Sequence, residues 1–211
     1  MTEFRKTAQM ETVFRSLPVF VQQHSCMVGK YAELIVDSIS QAKYKPDQGE
    51  LPLEMLSHVD IWGKYHDIGK AAIPDSILNS TRPLEDFEWK LIYAHTMLGA
   101  YIILGRIPLP LREPPSKLWE MAAQCCLYHH ERWDGNGYPF GFSKESIPLP
   151  ARIIGIADAY DAMTADRPYH KGISEAAALA EIQKGAGTQF DPVLAEVFLE
   201  VMSRKANAVN W

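Results

Sequence analysis

Residues 20–41, FVQQHSCMVGKYAELIVDSISQ, decide how the rest of the chain is read. Val21, His24, Val28, Tyr31, Ile35 and Ile39 recur at spacings of three and four, so a helix puts all of them on one face. That face is apolar except for His24, an imidazole set among core side chains. The same period returns on both sides. Residues 3–16 predict a short leading helix that ends before Pro18. After a loop at 44–49, the stripe Leu56, Val59, Gly63 and His66 predicts a helix over 52–68, with Asp67 beside the stripe and Gly69 as its stop. Ser80 to Glu85 has the cap-plus-proline composition of a helix start, and Leu84, Phe87, Leu91, His95, Leu98 and Ile102 continue it as one stripe to Leu104.

Beyond a loop marked by Pro108, Pro110, Pro114 and Pro115, a further helical face holds Leu118, Ala122, Cys125 and His129. Residues 131–150 are punctuated by Gly and Pro and read as a loop. Helices near 150–165, 174–185 and 191–205 complete the chain, the last opened by the N-cap Asp191 and by Pro192. No stretch alternates in the manner of a strand between hairpin turns, so an all-α fold of about seven to nine helices is expected.

With 211 residues, 47% of them apolar and 22% charged, the composition is that of one globular domain. Residues 1–19 read as a short helical extension, 20–205 as the domain and 206–211 as a tail. The net charge of −5 argues against a binder of polymeric nucleic acid or of an anionic membrane. Cys26, Cys125 and Cys126 make no disulfide framework and read as small core residues. The N-terminus lacks the apolar run of a signal peptide and no stretch approaches a membrane span, so a cytoplasmic location is expected.

His24, His66, Asp67, His95, His129, His130 and Asp158 all fall on predicted inward faces or at helix ends. One buried imidazole is ordinarily a hydrogen-bonded core residue. A whole group of such rings and carboxylates is costly to bury unless something pairs with them, and divalent cations would do so. Imidazole with carboxylate and without thiolate suits Fe, Mn, Co, Ni or Zn. A carboxylate adjacent to a histidine, as in His66-Asp67, can bridge two ions while its neighbour ligates one. Two ions roughly 3.5–4 Å apart clamp the attacking and leaving oxygens of a phosphoryl displacement. The residues therefore point to metal-assisted hydrolysis of a phosphate ester. Asp161, on the same helical face as Asp158, reads as a partner that orients a ligand.

His66-Asp67-Ile68-Gly69-Lys70 and His129-His130-Glu131-Arg132-Trp133-Asp134-Gly135-Asn136-Gly137-Tyr138-Pro139 resemble the two signatures of the HD-GYP family, bacterial cyclic di-GMP phosphodiesterases within the HD hydrolase superfamily. The resemblance spans residues 20–205 and takes in Asp158-Ala159-Tyr160-Asp161-Ala162, Asp166-Arg167-Pro168-Tyr169 and Phe190-Asp191-Pro192. It implies an HD-domain helical bundle that hydrolyses cyclic di-GMP to linear pGpG or onward to GMP. It also implies two divalent ions, Fe or Mn before Co, Ni or Zn. His24, His66, Asp67 and Asp158 would hold one ion, and Asp67, His95, His129 and His130 the other.

By the same resemblance, Lys70 faces the scissile phosphate and Arg167 grips a substrate phosphate. Many members carry Arg or Lys directly after the Asp-Arg-Pro-Tyr run; here His170 intervenes and Lys171 is the substrate-binding candidate. The loop residues Asp134, Gly135, Gly137, Tyr138 and Pro139 read as a rigid support for His129 and His130. The resemblance adds a surface for a diguanylate-cyclase-type or sensor partner acting in trans. Some members hold a third ion through a Glu one helical turn before the first histidine. Phe20 stands there in this chain and cannot ligate, so two ions are expected. Trp133 and Tyr169 are further candidates for stacking on a guanine. The alternatives are hydrolysis of 3′,3′-cyclic GMP-AMP or another nucleotide phosphate, and a non-catalytic signalling module.

Overall fold

The apolar spacing of residues 19–41 winds into α2 (Val19–Gln41), which buries Val21, Val28, Ile35 and Ile39 along one side. This computed structural model describes residues 3–41, 53–105, 116–166 and 171–208. The other helices are α1 (Glu3–Arg15), α3 (Val59–Tyr65), α4 (Asp75–Leu78), α5 (Asp86–Tyr93), α6 (His95–Leu104), α7 (Lys117–Tyr128), α8 (Leu149–Thr164), α9 (Glu175–Gly185) and α10 (Pro192–Ala208). Among the described residues the only β pairing is an isolated bridge between Ala186 and Phe190, so the fold is all-α. None of these helices is long and apolar enough to cross a membrane. The loops expected at 44–49 and 108–115, together with Arg167, Tyr169 and His170, lie outside the described residues.

α2 packs on α3, α8 and α10, while α6 packs on α7 and on a 3-10 turn at Ile68–Ala72. One core runs through these contacts, from Met10, Phe14 and Leu17 of the N-terminal segment to Trp62, Trp119, Ile153, Tyr160 and Phe198. Side chains of this size each stabilise the fold by about 1.5–3 kcal/mol when fully buried. The α2–α3 crossing is unusually close: a Cβ on Gly63 would lie 2.6 Å from the Cα of Gly29. Only two glycines permit that approach, and it sets the His24 and His66 rings edge to face at 5.4 Å.

Three expectations are corrected. The helix expected over 52–68 is a 3-10 turn (Leu53–His58), then α3, then the 3-10 turn that starts at Ile68. Gly69 does not stop a helix by its own conformation; a Cβ there would sit 1.9 Å from the His95 carbonyl oxygen, so its small size lets this turn lie against α6. The single stripe over 84–104 also fails. The helix begins at Asp86, where Glu85 and Glu88 form a reciprocal capping box, and it breaks at Ala94 into α5 and α6. Phe87 and Leu91 consequently face solvent, while His95 is buried. Finally, Cys26 is exposed; only Cys125 and Cys126 are buried.

Candidate metal centre

Each of three histidines sits where a helix ends, and each uses Nδ1 to hold a carbonyl three residues earlier. His66 donates to Gly63 at 2.7 Å, His95 to Ile92 at 2.6 Å and His129 to Cys126 at 2.9 Å. These carbonyls are the acceptors that a continuing helix would use, so the rings help to terminate their helices. Because a carbonyl only accepts, Nδ1 must carry the proton and Nε2 presents a lone pair. His24 follows the same logic with a carboxylate in place of the carbonyl. Its Nδ1 lies 2.6 Å from Asp161 Oδ2. All four Nε2 atoms are thereby aimed into one space between α2, α3, α6 and the end of α7.

Asp67 lies at the centre of that space and divides its two oxygens. Oδ2 is 3.5 Å from His66 Nε2 and 3.8 Å from His24 Nε2. Oδ1 is 3.2 Å from His95 Nε2 and 4.0 Å from His129 Nε2. Asp158 divides in the same sense: Oδ1 is 2.9 Å from His24 Nε2 and 3.7 Å from His66 Nε2, while Oδ2 is 4.0 Å from His130 Nδ1. Three overlapping sets of donor atoms follow, His24 with His66 and Asp67, His95 with His129 and His130, and His66 with His129 and Asp158, which links the other two; within each set the atoms lie within 4.8 Å of one another.

Lys70 and His24 supply positive charge on one side of this arrangement, and the rest is left without a proton or cation to pair with. His95 Nε2 and His129 Nε2 face each other at 3.3 Å, two lone pairs with no proton assigned between them. His66 Nε2 and Asp67 Oδ1 are buried without a hydrogen-bond partner. Leaving such groups unpaired costs about 1–3 kcal/mol each. Burial alone would raise the Asp67 carboxyl, but Lys70, His66 and His95 outweigh it and hold the group well below the usual carboxylate range. Asp158 is held low in the same way by His24 and His66. Burial, then the neighbouring imidazoles, push His129 well below its ordinary value, and burial brings His130 to about 4. His24 goes the other way: burial opposes its charge, but the hydrogen bonds with Asp158 and Asp161 push it up to about 9. Ionised carboxylates beside inward-pointing imidazole nitrogens, with at least two buried polar atoms unpartnered, fit divalent cations, which would displace the proton that His24 holds.

The surrounding residues are placed as follows. Asp161 grips His24, as described. Lys70 Nζ lies 2.5 Å from Asp67 Oδ2, on the carboxylate itself. Lys171 is exposed and is not among the side chains that converge on the cluster. Phe20, partly buried, packs on the core instead of facing a ligand set. In the loop, Gly135 has a φ of +81°, and a Cβ on Gly137 would lie 2.4 Å from the Arg132 nitrogen. Asp134 pairs with Arg132 at 2.8 Å, which lowers its carboxyl to about 2, and its amide donates to Thr188. Tyr138 stacks on His130 with ring centres 4.7 Å apart, and Pro139 follows it through a cis peptide.

Two residues went unassigned in the sequence reading. The buried Glu131 carboxylate accepts from the amides of Phe140 at 2.7 Å and Phe142 at 3.0 Å, closing the loop onto the end of α7. Its signal was present, a carboxylate directly after the paired histidines. Tyr93 lies against Tyr138 at 4.6 Å. No spacing in the sequence announces that contact.

A family profile described as "HD domain" matches residues 22–194. The chain belongs to the HD-domain family. Its two signatures place it with the HD-GYP proteins. This HD domain is 40% identical over 155 residues to the "Cyclic di-GMP phosphodiesterase PA4108" of Pseudomonas aeruginosa, a match covering 74% of this chain and 35% of the relative. It is 30% identical over 200 residues to the "3'3'-cGAMP-specific phosphodiesterase 2" of Vibrio cholerae, covering 95% of this chain and 36% of that protein. The chain thus spans about a third of the length of these relatives. Among solved structures, Bd1817, an HDG"Y"P protein from Bdellovibrio bacteriovorus, shares the fold with a TM-score of 0.61 at 12% identity, over 87% of this chain and 52% of the other.

Proposed function

We propose that this HD domain is a metal-dependent phosphodiesterase that hydrolyses cyclic di-GMP to linear pGpG. The observation that carries the reading is Asp67, whose two oxygens each face a different pair of inward-pointing imidazoles. In this reading His24, His66, Asp67 and Asp158 hold one ion and Asp67, His95, His129 and His130 the other, with Fe or Mn as the ions. Bound divalent cations supply Lewis-acid charge to phosphate oxygens and lower the pKa of water.

The chain's own residues do the rest. Asp161 and the three carbonyls fix the imidazoles in the tautomer that ligates. Lys70 neutralises Asp67 in the metal-free site; as cations take over that role, its ammonium is free to turn to a phosphate oxygen. Arg167 would grip a second phosphate. The Glu131-closed loop holds Tyr138 over His130 and limits the ring's movement.

The test is turnover. Protein reconstituted anaerobically with Fe(II) or Mn(II) is incubated with cyclic di-GMP and the products are separated by chromatography. pGpG is expected, any GMP showing whether hydrolysis continues, and no turnover with either metal overturns the reading. The relative from Vibrio cholerae that aligns with 95% of this chain supports a second reading, 3′,3′-cyclic GMP-AMP as the substrate. Equal or faster turnover of that dinucleotide in direct competition would favour it.

A further inference from the structure

α5 carries aromatic side chains into solvent. Trp89 and Tyr93, one helical turn apart, are each 46% exposed. Their rings lie 6.1 Å apart and tilted by 35°. Tyr93 in turn lies 4.6 Å from Tyr138 at 40°, and Tyr138 lies 4.7 Å from His130 at 27°. Four rings therefore follow one another in contact from a side chain of the metal centre to the surface, where Trp89 and Tyr93 are the two left exposed. Leaving about half of each ring in solvent forgoes favourable apolar burial. A scattered exposed apolar residue needs no explanation, but an ordered row leading out of a candidate active site is a different case.

We propose that Trp89 and Tyr93 form a stacking platform for a purine base of the nucleotide substrate. The inference rests on the phosphodiesterase reading. A phosphate held at the cluster carries its base by a short covalent tether, so the base must find a surface adjoining the metal centre. The aromatic row is such a surface, and stacking is how proteins hold nucleobases that lie outside a duplex. The platform accepts guanine and adenine alike, because both present a π-face. It grips the base without touching the reacting phosphate, so Trp89 and Tyr93 are positioning residues that set affinity.

Trp89→Ala, Tyr93→Ala and the double variant test this, with Trp89→Phe and Tyr93→Phe as ring-retaining controls. Phe87→Ser serves as a control on the opposite side of α5, where Phe87 is 61% exposed. Each alanine variant should raise KM for cyclic di-GMP roughly five- to tenfold, the lower part of the range for base stacking, with kcat within about twofold. The phenylalanine and Phe87→Ser variants should match the wild type. A second measurement does not need turnover: equilibrium dialysis of the metal-loaded protein with GMP and with ribose 5-phosphate, which lacks the base. The wild type should prefer GMP, and the double variant should lose that preference.

If cyclic di-GMP is hydrolysed but the double variant keeps wild-type KM and GMP affinity, the platform is refuted and the phosphodiesterase reading survives. If no cyclic dinucleotide is turned over yet the GMP preference disappears in the double variant, the platform stands and that reading falls. A wild type that binds GMP no better than ribose 5-phosphate refutes the platform outright.

Discussion

Replacing Asp161 by Asn removes one negative charge from His24 while leaving an oxygen to accept its Nδ1–H, 2.6 Å away in the wild type. In the metal-free protein His24 stands at about 9 against an ordinary 6.5, a displacement of about 2.5 pH units or roughly 3 kcal/mol. The folded-state value is the higher one. The stabilisation is therefore complete below pH 6.5 and is lost as pH rises through about 9. Burial opposes the charge on His24, and Asp158 and Asp161 together outweigh it, so removing one of these charges should take away more than half of the upward displacement. Metal binding responds in the opposite sense at low pH, because an ion must displace the proton from His24. At pH 7 that competition weakens binding about 100-fold in the wild type and by much less in the variant. Loss of a carboxylate behind a ligating imidazole itself costs about 10- to 100-fold in affinity. The variant's deficit should accordingly be the full effect, about 10- to 100-fold, at pH 9 and much smaller at pH 7, where its lighter proton competition offsets the loss. Urea unfolding of chelator-stripped protein at pH 6 and pH 9, with Mn(II) titrations against a competing chelator, reads both quantities. Identical pH slopes in the two proteins, together with equal Mn(II) affinity at pH 9, would refute the role given to Asp161.

Three further outcomes are expected. Glu131→Ala leaves the Phe140 and Phe142 amides without their acceptor and should cost about 2–4 kcal/mol in urea unfolding, whereas Asp134→Ala, which breaks a pair nearer the surface, should cost under about 1 kcal/mol. Gly69→Ala drives a methyl into the His95 carbonyl and should destabilise by about 3 kcal/mol or more, with loss of bound metal measured on whatever fraction stays folded. Elemental analysis of carefully loaded protein should give two ions per chain, since Phe20 packs on the core and offers no ligand. Chelation should then lower the unfolding temperature, by an amount equivalent to about 2.7 kcal/mol when the free ion had stood at 100 times its Kd.

The buried cluster of imidazoles and carboxylates could be read ahead of the structure because such residues are rare in buried positions. His24, His95 and His129 interrupt apolar stripes, and His66-Asp67 and His129-His130 place donors side by side. The helix boundaries around those histidines were less legible. A periodicity argument carries a helix through residue 94, because nothing in Tyr93-Ala94-His95 breaks the pattern. The actual break depends on His95 Nδ1 and Thr96 Oγ1 taking the Ile92 and Tyr93 carbonyls. Whether a side chain competes for a carbonyl depends on where the rest of the ring is drawn, and that is set by the cluster.

Sequence by itself determined the all-α class, the residues that line the metal centre and the chemistry they suit, since each follows from local periodicity and from the intrinsic properties of imidazole and carboxylate. Tertiary structure decided how Asp67 and Asp158 divide their oxygens, which depends on the approach of α2 to α3 across Gly29 and Gly63. It also decided that Lys70 rests on Asp67, that Glu131 closes the loop, and that Trp89 and Tyr93 continue a row of rings from His130. These relations join residues from different helices and loops. Their distances come from packing over long sequence separations, which no pattern along the chain encodes.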